Sequence, residues 1–363
     1  MLNDEPLLAV VHETNRILTK GLDKGITDNI PPEEMLTALR NDVFVFSGYK
    51  THAQLREVAS LLLTSESKIK PFAQFKLDVQ SVNQAYNVNY LEAEYIFATS
   101  SGEMAAKWND LEKDSDRYNL QYRTAKDDRV RDTHAAMDGT TLPVEDEFWN
   151  SYYPPNGWRC RCTAVQVRKG KYPVDNSAEA IRKGDSATIQ LDRKGNNAAA
   201  IFRFNPGKQK VIFPPNHPYR QVQDRVKRIV ESLSSGITAK NSASSELVTW
   251  YKKNLPVKKV GKFEARRFEV NRADLDSPII VNKVFYNEIR GKYKDDKRYL
   301  EKLELSKQAQ IFIKNAEFKG DETPIHSHAD KFKSYKYNHN GTLIEFKCKV
   351  NKDGIFLYYM RLK

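Results

Sequence analysis

Thr342-Leu-Ile-Glu-Phe-Lys-Cys-Lys-Val350 places an apolar side chain at alternate positions, Ile344, Phe346, Cys348 and Val350, with Glu345, Lys347 and Lys349 between them. A period of two belongs to a strand with one buried face. His339-Asn-Gly341 on one side and Asn351-Lys-Asp-Gly354 on the other are turn sequences. Residues 333–338, 342–350 and 355–363 are therefore expected as three short strands of an antiparallel meander. Upstream lie helical patterns over 247–255, 282–290 and 296–316 and an extended stretch over 262–271, so residues 246–363 read as a small α+β domain.

Working toward the amino terminus, Ser234-Ser-Gly-Ile-Thr-Ala-Lys-Asn-Ser-Ala-Ser-Ser245 interrupts a helical pattern that begins at Val222 and is expected to be a linker. The first hundred residues look helical. Pro31-Pro-Glu-Glu34 opens one helix, and Thr51-His-Ala-Gln54 resembles a capping box ahead of Leu55, Val58, Leu61 and Leu62. A further helix from about Leu91 carries Tyr95, Ala98, Met104, Ala105 and Trp108, eased by Gly102. From Arg123 to Val167 the texture turns to Pro, Gly and aromatic residues, and residues 168–197 read as a variable surface segment. The fold class expected is α+β multidomain. It comprises a helical region 1–120, a loop-rich module 121–220, a helix and Ser-rich linker 221–245, and a basic α+β domain 246–363 with the terminal meander.

In 363 residues, 40% apolar and 11% aromatic content argues against wholesale disorder. No apolar run approaches the roughly 18–20 residues that span a bilayer. The start, Met-Leu-Asn-Asp-Glu-Pro, has neither a basic head nor an apolar core, so the product is expected to stay in the cytoplasm where it is made. Three cysteines there do not suggest a disulfide scaffold. The net charge of +12 is uneven: residues 246–363 hold 26 Lys plus Arg against 16 Asp plus Glu, a net of +10, leaving +2 for the rest. Clustered cations point to an anionic partner, nucleic acid first; the alternative is a solvated Lys-rich surface.

Two groups of residues could carry chemistry. Cys160 and Cys162, two apart, would project from one face of a strand and could bind zinc with His134 and a fourth group, although buried structural thiols are the commoner outcome. Arg123, Arg129 and Arg131 are expected to hold Asp127, Asp128 or Asp138 in place. In the last 38 residues stand three of the seven histidines, His326, His328 and His339. Cutting RNA without a metal needs a base, an acid and a cation for the phosphorane charge. Histidine suits the first two and Lys or Arg the third. Tyr359 and Arg361 are expected on one face of the last strand, with Phe356, Tyr358, Met360 and Leu362 packing on the helices from the other. His326 and His328 as metal ligands would need Asp321, Glu322 or Asp330 to complete a site. Ser327 lacks a nucleophile-elbow context and Cys348 alternates into a buried face, which weighs against a protease.

The block Tyr122-Arg-Thr-Ala-Lys-Asp-Asp-Arg129-Val-Arg131-Asp-Thr-His134-Ala-Ala-Met-Asp138-Gly139-Thr140, continued by Leu142-Pro143-Val144, Phe148-Trp149 and Tyr153-Pro-Pro-Asn-Gly-Trp158-Arg-Cys160-Arg161-Cys162, closely resembles the phage Mu F-like minor head protein family. The resemblance is taken to cover residues 1 to about 220. It implies a head morphogenesis protein of a phage or prophage, present in the host cytoplasm and then inside the capsid beside portal and capsid proteins, with no membrane role.

With its order of helices, His-bearing loop and terminal strands, the carboxy-terminal region looks like the phage branch of the barnase, EndoU, colicin and RelE-like nucleases, through residues 317–330 and Gly354-Ile-Phe-Leu-Tyr-Tyr-Met-Arg-Leu-Lys363. That resemblance implies a metal-independent ribonuclease effector acting on RNA, or DNA, with a small acidic immunity protein as a further partner. His326 or His328 would be base or acid, Lys331 or Arg361 the charge stabiliser, and Tyr359 or Tyr335 a donor or stacking surface. No cofactor is implied beyond the zinc that Cys160, Cys162 and His134 could take. The alternative is a structural capsid or portal-associated protein whose basic domain binds nucleic acid without cutting it.

Overall fold

Pro32 caps the second of the amino-terminal helices, and Glu33 and Glu34 in its first turn meet the positive end of the helix. In the computed structural model, which describes residues 5–260, 263–292, 298–322 and 331–363, this helix, α2, runs from Glu33–Ser60 after α1, Glu5–Gly25. The capping box expected at Thr51 is not a helix start. Thr51 lies inside α2, buried, and its hydroxyl donates to the Ser47 carbonyl one turn back at 3.0 Å. Such back-bonding answers the same side-chain chemistry as a cap, so the residue type alone could not tell the two apart.

The α3 helix, Phe72–Gln84, continues through a π-helical turn, Ala85–Tyr90, into α4, Leu91–Leu111. Glycines let α1 and α4 approach closely. A Cβ at Gly25 would lie 2.1 Å from the Thr99 carbonyl oxygen, and one at Gly102 would lie 2.8 Å from Leu22 Cδ1. Gly102 thus serves packing within an unbroken helix.

The loop-rich stretch contains more regular structure than its composition suggests. Strand β1, Tyr118–Arg123, helix α5, Asp132–Ala135, strand β2, Thr141–Pro143, helix α6, Phe148–Tyr152, and strand β3, Thr163–Arg168, build an antiparallel sheet in the order β2-β1-β3. Tyr122, Phe148, Trp149 and Tyr153 fill its core. The expected variable segment includes α7, Ser177–Ala187, whose Asn176 cap accepts from Glu179 N at 3.0 Å and whose Gly184 packs on the Tyr152 ring.

After α8, Pro206–Gln209, the chain returns to the helices. Phe213 stacks on Phe46 with centroids 3.8 Å apart, and Asp42, buried on α2, accepts from the Ile212 and Phe213 amides at 2.9 Å each and from Arg220. Residues read as two separate regions, 1–120 and 121–220, therefore belong to one compact unit, Met1–Ser235.

The Ser-rich run expected as a linker is helical, part of α9, Asp224–Asn254. Serine costs a helix only a few tenths of a kcal/mol, and tertiary packing overrides that. Ser235 bonds back to the Glu231 carbonyl, and Ser244, buried, accepts from Arg290 Nε at 2.9 Å.

The second unit, Gly236–Lys363, holds a seven-stranded sheet among the described residues, larger than the expected meander. Its elements after α9 are β4, Val257–Val260, β5, Phe263–Val270, β6, Ile279–Asn282, α10, Lys283–Lys292, α11, Tyr299–Ser306, α12, Ala309–Asn315, β7, Glu317–Glu322, β8, Lys331–His339, β9, Thr342–Asn351, and β10, Gly354–Leu362. The order is β4-β5-β6-β10-β9-β8-β7, antiparallel except where β10 runs parallel to β6. Phe285, Tyr286, Ile289, Leu303 and Phe312 of the helices pack with Tyr335, Ile344, Phe346, Cys348 and Met360 of the sheet.

A bulge between Leu357 and Tyr359 shifts the alternation of β10 by one. Ile355 and Leu357 are buried before it and Met360 and Leu362 after it. Phe356 and Tyr358, expected on the helix side with Met360 and Leu362, are instead only half-buried. No helix among the described residues is long and apolar enough to cross a membrane.

Candidate functional site

Three side chains from two segments of the chain meet beside the small sheet. Helix α5 presents His134, and the extended lead into β3 carries Cys160 and Cys162, so that their ligating atoms all lie within 4.8 Å of one another. His134 Nδ1 is 3.7 Å from each sulfur, and all three residues are buried. The Cys162 thiol hydrogen-bonded to Cys160 holds the Cys160 thiol well below the usual range, with His134 adding to the effect. Cys162 is pushed up by the same neighbour and by burial.

Charged hydrogen bonds hold the loops that carry this group. Arg161 clamps Asp127 through two bonds of 2.5 and 2.6 Å, which keeps the Asp127 carboxyl well below the usual carboxylate range. Arg129 reaches Asp127 at 3.5 Å, as expected of it, but Arg131 donates to the Trp158 carbonyl and Arg123 to Gln121. Asp138 accepts from the Thr124 amide at 2.8 Å and lies 3.4 Å from Lys126. Arg161, sitting between the two cysteines, was not singled out from sequence; its position inside Cys-Arg-Cys was the available signal. A cavity of about 350 Å³ opens beside the group, lined by His134, Cys160 and Cys162 and by Arg129, Arg131, Arg159 and Arg161.

A second polar cluster was not legible in sequence. Lys50 of α2 pairs with Glu94 of α4, both buried, next to the π-helical turn. Burial raises the Glu94 carboxyl to about 7, against the pull of Lys50, and lowers His217 to about 3. Glu94, His217, Tyr219, Trp158 and Arg159 line a cavity of about 580 Å³. The pair is 44 residues apart in the chain, so no local pattern announces it.

The residues singled out near the carboxy terminus do not all converge. His326 and His328, with Asp330, lie outside the described residues. Lys331 is exposed at the start of β8. Tyr335, expected as a donor or stacking surface, is 1% exposed and stands opposite Phe346 in the buried row, with the Arg272 guanidinium 4.5 Å from its ring centroid. Arg361 is exposed in the alternate row, opposite Glu345, which also pairs with Lys336 at 3.4 Å and Lys363 at 2.9 Å. Tyr335 and Arg361 thus belong to opposite sides of the sheet. Tyr359 follows the bulge, opposite Lys347, with Lys302 Nζ 5.8 Å from its ring. His339 ends β8 at the expected turn, paired with Thr342 across Asn340 and Gly341, with its ring 4.7 Å from that of Phe312. Near Arg361, Lys347 and Ser334 both reach Glu322 of β7.

The family model described as "Phage Mu protein F like protein" matches residues 65–165. The putative capsid assembly protein F of Escherichia phage Mu is 35% identical over 144 residues, covering 34% of this chain and 31% of that protein. The Mu-like prophage FluMu F protein of Haemophilus influenzae is 40% identical over 80 residues, covering 20% of this chain and 19% of that protein. The chain therefore spans less than a third of the length of these relatives. No solved structure matches. The segment carrying His134, Cys160 and Cys162 lies within the stretch that matches the Mu F-like family model, as the block from Tyr122 to Cys162 led one to expect, and the match spans residues 65–165 and not 1 to about 220.

Proposed function

We propose that this chain is a phage or prophage head-assembly protein whose first unit engages portal and capsid proteins and whose second unit binds nucleic acid. The observation that carries the first half is the 35% identity over 144 residues to a putative capsid assembly protein. Such a protein would be made in the host cytoplasm and end inside the capsid. Affinity capture of the tagged full chain from cells producing heads tests this: portal and major capsid proteins are expected in the eluate, and their absence would count against the reading.

For the second unit, the +10 charge of residues 246–363 favours phosphate contact. Arg361 and, in the same row of the sheet, Lys336, Lys347 and Lys349 would supply it, with release of counterions as the driving term.

A ribonuclease effector is the second reading, favoured by one observation: exposed Lys331 directly follows the segment that bears His326 and His328. In it the histidines exchange protons, Lys331 or Arg361 stabilises the phosphorane, and an acidic immunity protein covers the face before delivery. Incubating total RNA with the full chain and with a His326→Ala, His328→Ala variant separates the readings. Cleavage lost in the variant supports the enzyme, and intact RNA with salt-sensitive binding in both supports the binding module.

A further inference from the structure

Buried thiols need no function, and two cysteines could simply fill the core beside Tyr122. The position of His134 argues otherwise. A single imidazole nitrogen has either one lone pair or one proton, so it can satisfy one sulfur at a time. Here Nδ1 stands 3.7 Å from both Cys160 Sγ and Cys162 Sγ, too far for a strong bond to either and equal for the two. One nitrogen equidistant from two sulfurs, with all three atoms within 4.8 Å of one another, is an arrangement that three ligands of one ion can take. Zinc held at its usual lengths to one nitrogen and two sulfurs with tetrahedral angles places N and S about 3.6 Å apart.

We propose that His134, Cys160 and Cys162 bind one zinc ion through Nδ1 and the two Sγ atoms, and that its fourth position opens to the arginine-lined cavity, where water or an anionic oxygen completes the tetrahedron. Soft thiolates with an imidazole select zinc over the hard cations. Binding releases the thiol protons to solvent and changes no oxidation state. The three ligands come from two segments, α5 and the lead into β3, so the ion would tie together the loops that Arg161 and Asp127 clamp from outside. Among the described residues no fourth His, Cys, Asp or Glu joins the group. All three ligands line the 350 Å³ cavity, which leaves the remaining vertex on its side. Arg129, Arg131, Arg159 and Arg161 around the mouth make that vertex attractive to anions.

The test uses the full chain purified with reductant and without chelator. Elemental analysis is expected to give about one zinc per chain, as a three-residue site with bound solvent requires. Cys160→Ser plus Cys162→Ser should lose the metal while Cys348→Ser, a buried thiol elsewhere, keeps it. Should the double variant fail to fold, Co²⁺ added to the metal-free natural chain decides: sulfur-to-cobalt charge transfer with tetrahedral d–d bands is expected. Less than about a tenth of an equivalent of zinc together with an octahedral cobalt spectrum overturns the site. Oxidation of the two thiols to a disulfide in the reduced preparation would overturn it too. Inorganic phosphate added to the cobalt form should shift the d–d bands, and unchanged bands would refute the open fourth position.

Discussion

The two units hold themselves together in different ways. In Met1–Ser235, single polar groups pin segments that are far apart: Asp42 holds the returning chain at Ile212 and Phe213, Lys50 neutralises Glu94, and Arg161 clamps Asp127. In Gly236–Lys363 a sheet repeats one arrangement across seven strands, and polar residues of its outer row pair along the surface, Glu345 with Lys336 and Lys363 and Glu322 with Lys347. The lesson is that the first unit should fail at particular residues, whereas the second should lose stability only through its apolar row and lose binding through its exposed one.

The largest effect expected is from Lys50→Met, which strands a buried carboxylate and should cost about 3–5 kcal/mol in denaturant unfolding of the first unit. The penalty should shrink at pH 5, where Glu94 takes up a proton. In the natural chain the folded Glu94 keeps its proton up to about 7, while its ordinary value is 4.5. The folded state therefore binds more protons in that window, so the contribution of Glu94 to stability falls as pH rises through it and is flat above. Glu94→Gln should remove this slope, and an unchanged pH profile would contradict the assignment.

In the second unit, Met360→Ala should cost about 2–5 kcal/mol by opening the buried row. Hydrogen exchange of the β8–β10 amides should accelerate, and Tyr358→Ala, at the bulge itself, should cost less; equal costs would argue against the shifted alternation. Next comes Gly102→Ala, expected to cost about 1–3 kcal/mol by pushing on Leu22, measured as a fall in thermal midpoint. Smallest in stability is Arg361→Ala, within about 0.5 kcal/mol of neutral. Its effect belongs to binding: the slope of log affinity against log salt for a DNA duplex should lessen by about 0.9 if Arg361 meets one phosphate.

The sheet was legible where apolar residues alternate, as in Ile344, Phe346 and Cys348, because burial of one face imposes the period. It was not legible in β6, whose Ile279, Ile280 and Val281 are all buried and so show no alternation, nor in β7, an outer strand whose only bulky apolar residue is Phe318. The bulge at Tyr358 carries no sequence signal that would have moved Phe356 to its actual side. Ser234 to Ser245 misled because serine composition speaks of solvent and loops, while partners such as Arg290 decide whether the helix forms. At the candidate sites, Cys-x-Cys was visible as a spacing, and His134, read with it from the same block of sequence, does lie beside both sulfurs. The Lys50–Glu94 pair and the anchoring of residues 212 and 213 by Asp42 depend wholly on tertiary placement.

The account turns on the first unit being the part that joins a capsid. Quantitative mass spectrometry of purified heads, assembled with either the natural chain or one lacking residues 65–165, tests that most directly. The natural chain should be present in heads and the shortened one, made at equal level, should be missing from them. Equal amounts of both, or neither, would contradict the account.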